Sequence, residues 1–293
     1  LVLREAVSMP LWQADLHRPP LSTDSGEPLW ELLLCSEDFS FSYGAAAPQS
    51  VVSKAWVTAQ VSAAVDKAGA APSQVQVFRP QALSLVTTAC EPLGIAVAAT
   101  RHTPALHQWL QQRAKWYPSQ PNAIPIPYNP LHIESPPPVP LSETLWGDRW
   151  GFTALAAYDF EQTLPHEPIP LRHLPPGLMP SRLGLASTAP VPGVVIDAGR
   201  QAMALAQWLQ TSAPAWLSYV RGEPDGLILA AGLCDRWVLT TFNDADVASA
   251  GQQFEQRKQQ SQGLHFLLVR PDDSGMTTTG LWLLQQPQAQ GSS

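Results

Sequence analysis

The sequence predicts two domains: an α/β N-terminal domain, built as a mixed sheet with covering helices, and an α+β C-terminal domain with a largely antiparallel sheet. Three observations predict it. Strand and helix patterns alternate through residue 117. Residues 118–143 then carry proline at a density, including Pro136-Pro137-Pro138, that neither a helix interior nor a central strand tolerates. Beyond them, three strand patterns follow one another over 215–242 without a helix between them, which suits antiparallel pairing. The expected boundaries are 1–117 for the first domain, 118–143 for a proline-rich linker, 144–286 for the second domain and 287–293 for a frayed tail.

Residues 12–18 and 29–35 read as the strands of a hairpin, with Pro19, Pro20, Asp24, Ser25 and Gly26 as its turn chemistry. Val52, Ala55, Trp56, Ala59 and Ala63 recur at helical spacing, so 50–69 is expected to be a helix ended by Gly69. Residues 75–79 alternate apolar and polar, as a strand does. A helix over 81–93 is weakened in its last turn by Pro92 and stopped by Gly94, and a short strand covers 95–100. Thr103-Pro104 fits an N-cap followed by proline at the first helical position, opening a helix that runs to Trp116. The second half offers a strand over 151–158, a proline-rich surface loop over 164–192 and a helix over 199–211. Strands at 215–220, 226–233 and 236–242, a Gln-rich helix at 246–262 and strands at 264–270 and 278–285 complete it. Around Trp282-Leu283-Leu284 the alternation reads as a buried strand.

Composition narrows the function. Of 293 residues, 45% are hydrophobic and only 14% charged, and the formal net charge is −7. A nucleic-acid binder is usually basic, so any RNA site has to be a local patch on an acidic body. Cys35, Cys90 and Cys234 are odd in number and lack a CxxC pair, which fits buried thiols in a reducing compartment and neither a disulfide framework nor a zinc site. No apolar run approaches the roughly 20 residues of a membrane helix, so no membrane insertion is expected. The N-terminus has neither a signal pattern nor an Arg/Ser-rich transit segment, which reads as a cytoplasmic bacterial protein or a mature organellar one.

Enzyme signatures are missing. There is no GxGxxG, no GxxxxGK[ST] and no GxSxG, and His166-Glu167 lacks the second histidine of HExxH. No catalytic residue, metal site or cofactor is expected, and the lone strand histidine His265 reads as a satisfied core residue. One alternative stands beside this. Asp15 and Glu31, on the two strands of the hairpin, are placed as carboxylates of a metal-dependent nuclease would be, against the plainer reading as exposed strand-edge charges.

A basic, aromatic window points to RNA. From Pro92 to Ile133 there is no Asp or Glu, while Arg101, Arg113, Lys115, His102, His107 and His132 alternate with Trp109, Trp116, Tyr117 and Tyr128. Cations neutralise phosphates and rings stack bases, which is what single-stranded RNA requires. A second acid-free stretch, 168–196, is sparser, with Arg172, His173 and Arg182. The Arg101…Leu106, Trp109-Leu110 pattern recurs 99 positions on as Arg200…Leu205, Trp208-Leu209. Either this is an ordinary core stripe, or a duplicated unit in which Arg101 and Arg200 serve equivalent sites.

Several segments, in order over residues 10–285, resemble one family. They are Trp30-Glu31-Leu32 leading to Cys35, then Phe78-Arg79-Pro80-Gln81 before Ala89-Cys90 and Leu93-Gly94-Ile95. Arg101, Leu106, Trp109-Leu110, Arg113 and Tyr117-Pro118 follow, then Leu145-Trp146-Gly147-Asp148-Arg149-Trp150, Gly263–Leu267 and Trp282-Leu283-Leu284. Together they resemble the Tab/Atab family of RNA-binding proteins, translation factors for photosystem I (psaB) messengers. The resemblance implies binding of single-stranded, A/U-rich leader regions of photosystem mRNA, with translation machinery or photosystem assembly proteins as further partners. It implies a cyanobacterial, cytoplasmic homologue, or a stromal one if the chain is plastid-borne. Acting through protein contacts as an assembly factor is the other alternative. Ser36 stands where the family pattern has an acid, and His102 where it has a second arginine. The RNA-binding residues expected are Arg79, Arg101, Arg113, Lys115, Trp116, Tyr117, Arg149, Trp150 and Arg200.

Overall fold

A computed structural model describes residues 10–287; residues 1–9 and 288–293, with all of the expected tail beyond Pro287, lie outside the described residues. The chain forms two compact units, Leu1–Glu134 and Ser135–Ser293.

The first unit is ordered β1 (Leu11–His17), β2 (Leu29–Ser36), β3 (Ser42–Pro48), α1 (Lys54–Ala68), β4 (Gln74–Val77), α2 (Pro80–Cys90), β5 (Ala96–Ala99) and α3 (Pro104–Trp116). Its sheet runs β3-β2-β1-β4-β5, with an antiparallel meander on one side of β1 and parallel strands on the other. The period of two along β1 decides which face is which. Trp12, Ala14 and Leu16, with Leu32, Leu34, Val75 and Val77, join Val57 and Val61 of α1 and Val86 and Cys90 of α2 in one core. The alternate residues, Gln13, Asp15 and His17, turn to the opposite face with Leu33 and Cys35, where Leu106 and Leu110 of α3 cover them. Burial pushes the Cys35 thiol up to about 12 and the Cys90 thiol to about 11, as expected for inert packing thiols.

Helix ends follow local chemistry with one exception. Ser53 Oγ accepts from Trp56 N at 3.3 Å to open α1, and Gly69, at φ 76°, closes it where a side chain would be strained. Pro80 occupies the first turn of α2, and Pro92 falls in the single 3₁₀ turn that follows, so the regular helix stops at Cys90. Thr103 sits at the N-cap of α3 but makes no side-chain cap bond. The cap comes instead from across the sheet, because the buried Gln13 Oε1 accepts from Leu106 N at 2.9 Å. Gln13→Leu is therefore expected to destabilise the protein by about 1–2 kcal/mol. A urea titration checks this, and an unchanged midpoint would show that the long-range cap carries no stability.

The strand β3 was not expected. Its sequence, Ser-Tyr-Gly-Ala-Ala-Ala-Pro, has little intrinsic strand preference and forms at the sheet edge, where Pro48 is tolerated. Part of the proline-rich stretch also folds onto this unit. Ser22 N donates to Asn122 O at 3.1 Å and Ile124 N to Pro20 O at 2.8 Å, so 122–124 lies against the hairpin turn, and the division between units falls inside the expected linker.

The second unit contains β6 (Val139–Pro140), β7 (Arg149–Ala156), β8 (Leu171–His173), β9 (Pro190–Asp197), α4 (Ala202–Ser212), β10 (Pro214–Val220), β11 (Asp225–Ala231), β12 (Asp235–Phe242), α5 (Ala245–Gln260), β13 (Leu264–Arg270) and β14 (Gly280–Gln285). The strands divide between two sheets, β10-β11-β12-β6 and β7-β9-β13-β14-β8. Long antiparallel pairs dominate, while β9–β13, β14–β8 and β12–β6 are parallel. Val194, Leu205, Leu209, Leu217, Leu229 and Trp282 belong to one core that both sheets and α4 share.

The region expected to be loop over 164–192 holds all of β8 and the first three residues of β9, where Pro190 and Pro192 hide the strand. Both prolines pair only with β7; the ladder to β13 begins at Gly193, so neither proline lacks a donor that β13 needs. Gly193 lies under Phe266, whose ring a β-carbon there would overlap. His265 is fully buried with both ring nitrogens satisfied: Nε2 accepts from Leu217 N and Nδ1 donates to Gly263 O, each at 2.8 Å. The repeated Leu-x-x-Trp-Leu stripe is buried alike in α3 and α4, but α3 follows an edge strand and α4 follows the interior strand β9. An ordinary core stripe accounts for the repeat.

Candidate nucleic-acid interface

The α3-facing side of β1 and β2 carries a cluster of buried charge. Register places His17 opposite Glu31, with Asp15 two residues earlier on the same face. Asp15 is fully buried, His17 is 2% exposed and Glu31 4%, so these are not strand-edge charges in water. Each carboxylate is met by a guanidinium. Arg79, at the N-cap of α2 just beyond β4, places Nε 2.9 Å from Asp15 Oδ1 and Nη2 3.2 Å from Oδ2. Arg113 of α3 pairs with Glu31, whose Oε2 also accepts from the Tyr117 hydroxyl. With two acids against two arginines and a neutral His17, the cluster is balanced. Buried charges demand this, since an unpaired one costs several kcal/mol.

Titration follows from burial. Desolvation raises the Asp15 carboxyl to about 6, even though Arg79 pulls the other way. Burial first, then the Arg79 and Arg113 charges, hold His17 down to about 3, so its ring is neutral near pH 7. Tyr117 is pushed up by burial and by Glu31 and stays a phenol. With its proton on Glu31, the Tyr117 oxygen accepts from His17 Nε2 at 3.1 Å. The network thereby assigns the proton to Nε2 and leaves Nδ1 with a lone pair. The lone pairs that a nuclease metal would need on Asp15 and Glu31 face protein donors instead.

Arg79 has a second task. Its Nη1 donates to His132 O at 2.7 Å and its Nη2 to Pro130 O at 2.8 Å. One guanidinium thus ties the proline-rich segment to the buried carboxylate of β1. Of the residues expected to bind RNA, Arg79 and Arg113 are engaged inside the unit and Tyr117 is wholly buried. Lys115 and Trp116 are exposed at the end of α3, and the Arg113 guanidinium lies 4.2 Å from the Trp116 ring centre. Arg101 is half-buried just ahead of α3. On the second unit, Arg149 pairs with Asp273 at 2.9 Å with both side chains well exposed, a contact worth little in water. Trp150 is half-buried against Phe152 and Phe242, and Arg200 is exposed in the turn before α4.

Each unit also carries an open cavity. A cavity of about 460 Å³ on the first unit is lined by His17, Arg18, Trp30, Tyr128 and His132 among others. On the second unit, Trp146, Gly147, Arg149 and Trp150 line one of about 490 Å³ with Ile196 and Leu205. Gly147 is needed there, since a β-carbon would come 2.5 Å from Ile196 Cγ2. Trp146 is 52% exposed and its ring N–H donates to Leu141 O at 3.0 Å. Tandem aromatics in the Leu-Trp-Gly-Asp-Arg-Trp segment were the available signal for it.

Two family profiles match in tandem. Residues 11–113 match "RNA-binding protein Tab2/Atab2 N terminal" and residues 128–285 match "RNA-binding protein Tab2/Atab2, C-terminal domain". The chain belongs to the Tab2/Atab2 family. Similar relatives include a chloroplastic TAB2 homologue of Zea mays, 27% identical over 93% of this chain and 70% of its own length. Another, from Arabidopsis thaliana, is 26% identical over 96% of this chain and 75% of its own length. Among solved structures, the HTLV-2 integrase catalytic core matches 40% of this chain and 80% of its own at 12% identity, with a TM-score of 0.28 that carries no functional argument. The Tab2 family is one of RNA-binding proteins, and the two profiles span the balanced cluster, the Trp146–Trp150 segment and the Trp282-Leu283-Leu284 strand. The two-domain α/β and α+β reading of the sequence agrees with this family. No helix among the described residues is long and apolar enough to cross a membrane.

Proposed function

We propose that this chain binds single-stranded RNA through the outward end of α3, favouring A/U-rich leader regions of photosystem messengers, and promotes their translation without reacting on them. The observation that carries the reading is the exposed Trp116 ring backed by the Arg113 guanidinium at 4.2 Å, next to the exposed Lys115, in a stretch with no acid between Pro92 and Ile133. A ring held from behind by a cation is a pre-ordered platform for a base, and Lys115 is placed for the adjoining phosphate. Arg79, Arg113 and Tyr117 act by holding this surface in shape, while Arg101, ahead of the opposite end of this 13-residue helix and roughly 20 Å away, would meet the strand farther along. On the second unit, Arg149, with its weak exposed pair to Asp273, Trp150 and Arg200 form a separate candidate contact. The work would take place in a cyanobacterial cytoplasm or a plastid stroma, where photosystem messengers are translated.

Salt-titrated binding of an A/U-rich single strand tests it. Lys115→Ala is expected to reduce the slope of log K against log salt by about 0.7, one phosphate contact. Trp116→Ala is expected to weaken binding by about 1–3 kcal/mol with no change in slope. Affinity and slope unchanged in both variants would overturn the interface. Mg²⁺-dependent cleavage of the strand would overturn the non-catalytic reading.

A further inference from the structure

Among the described residues the second unit has four outer strands, and three of them are closed to further pairing. β6 has two residues, one of them proline, and β8 has three. On β10 side chains occupy the backbone. Leu217 N donates to His265 Nε2 at 2.8 Å, Leu217 O accepts from Lys258 Nζ at 2.7 Å, and Tyr219 N donates to Glu255 Oε1 at 2.8 Å. The remaining strand, β7, is eight residues long, and 150–155 include neither a charge nor a proline, the usual guards of a sheet edge. Its bonds to β9 fall on the odd-numbered residues. Pro190 and Pro192, opposite Ala156 and Ala154, have no N–H to give, and Ala157 N donates to Ala189 O at 2.9 Å. Trp150, Phe152 and Ala154 therefore turn N–H and C=O to the outer edge, where no strand among the described residues pairs with them. Ala156 N, next along that edge, is closed by Asp159 Oδ2 at 3.0 Å.

We infer that β7 is a homodimerisation edge, pairing antiparallel with β7 of a second copy about a two-fold axis at Phe152. A two-fold contact has to be self-complementary, and this one is. It uses the three open residues and no others. Phe152 meets the partner's Phe152 and Trp150 meets the partner's Ala154, each pair exchanging both main-chain bonds. A large ring thus falls beside a small side chain, and Phe152 gains a ring partner. On the other face Gly151 meets the partner's Thr153 and Arg149 the partner's Leu155, so no like charges are opposed. The ends of the strand point to a second copy rather than a foreign peptide. Trp146, 52% exposed, and Tyr158, 54% exposed, lie equally far in sequence from Phe152. The same axis therefore brings the Trp146 end of one strand to the Tyr158 end of the other and covers a large exposed ring at each. A strand pair with two ring contacts is at the small end of specific interfaces, about 1,200 Å² or less, so the dimer is reversible.

Sedimentation velocity of the nuclease-treated full chain over a concentration series tests this. The wild type is expected to pass from monomer to dimer with a dissociation constant on the order of 10–100 µM. Ala154→Pro removes an open donor from each copy and leaves the β9 ladder whole, and is expected to weaken the dimer by about 10- to 100-fold. Tyr158→Ala, on an exposed ring, is expected to weaken it by about 3- to 10-fold. Gly151 has open space for a side chain, so Gly151→Lys and Gly151→Glu fit the monomer. Across the axis each sets its charge diagonally against its own copy, about 7–8 Å away. Either variant alone is expected to dimerise more weakly than the wild type, and an equimolar mixture of the two to dimerise more tightly than either. Urea midpoints near that of the wild type verify folding, and if Ala154→Pro does not fold, Tyr158→Ala and the Gly151 mixture decide. A chain monomeric up to about 300 µM, a dimer indifferent to Tyr158→Ala and both Gly151 changes, or a mixture no tighter than its components overturns the inference, and none of these bears on RNA binding by α3.

Discussion

Arg79→Met is expected to lower the unfolding free energy by about 3–5 kcal/mol, among the largest effects of any single side-chain change in the first unit. Asp15 is fully buried, and Arg79 is the cation that contacts it. Methionine fills much of the space but leaves a carboxylate without its counter-charge. The protein then either bears the buried charge or binds a proton, and the loss should shrink as pH falls below 6. Because the same guanidinium donates to the Pro130 and His132 carbonyls, the proline-rich segment should loosen too. Amide hydrogen exchange over 127–134 would register that loosening. The double variant Asp15→Leu, Arg79→Met separates the two effects. Replacing both partners of a buried pair by apolar groups is often close to neutral, so most of the stability should return while the segment stays loose. A single-variant loss under about 1 kcal/mol in urea unfolding, or a double variant no better than the single, would sink the account of this pair.

How much of this was legible in the sequence depends on where the deciding contact lies. Elements set by local chemistry were readable: the Ser53 to Gly69 helix, the meander over 214–242, the Asp244-capped α5. Asp244 Oδ1 accepts from Asp246 N at 2.8 Å and Val247 N at 3.1 Å, a cap confined to four residues. Elements set by distant partners were not. Strand β3 exists because β2 offers it a ladder, and β9 because β7 and β13 flank it, against the preferences of alanine, proline and glycine. The site divides the same way. The sequence marked Arg79 and Arg113 as cations but held no sign that Asp15 and Glu31, 64 and 82 positions away, would meet them. It marked Asp15 and Glu31 as acids on paired strands but not that they would be buried. Tyr128 stood in the basic window, whereas Trp30 and His17 joined it only through the hairpin register and the folding back of the proline segment.

The protein should also lose stability steeply in mild acid. Burial holds His17 and His265 down to about 3 and His107 to about 4, against 6.5 in the unfolded chain. The unfolded chain takes up these protons first, so their contribution is complete above about pH 6.5 and is lost as pH falls towards 4. Asp15 runs the other way. Its folded value of about 6 lies above its ordinary 3.8, so the native state binds that proton first, and its contribution grows as pH falls from 6 to 4. Three histidines against one carboxyl leave a net excess of proton uptake on unfolding. Stability should therefore fall by roughly 2–3 kcal/mol per pH unit between about pH 6 and pH 4. Carboxylates held low, such as Asp38 at about 2, add their loss only below that window. His107 isolates one term. It packs edge-on against Phe78 at 4.7 Å and its Nε2 is a buried atom without a partner, so phenylalanine should fit without stranding a polar group. In His107→Phe the acid slope should flatten by about 1.4 kcal/mol per pH unit, the share of a single proton. Urea midpoints at pH 7, 6 and 5 decide it. A wild type equally stable at all three, or a His107→Phe slope identical to the wild type, would mean that water reaches these rings and that the buried polar face is looser than its hydrogen bonds imply.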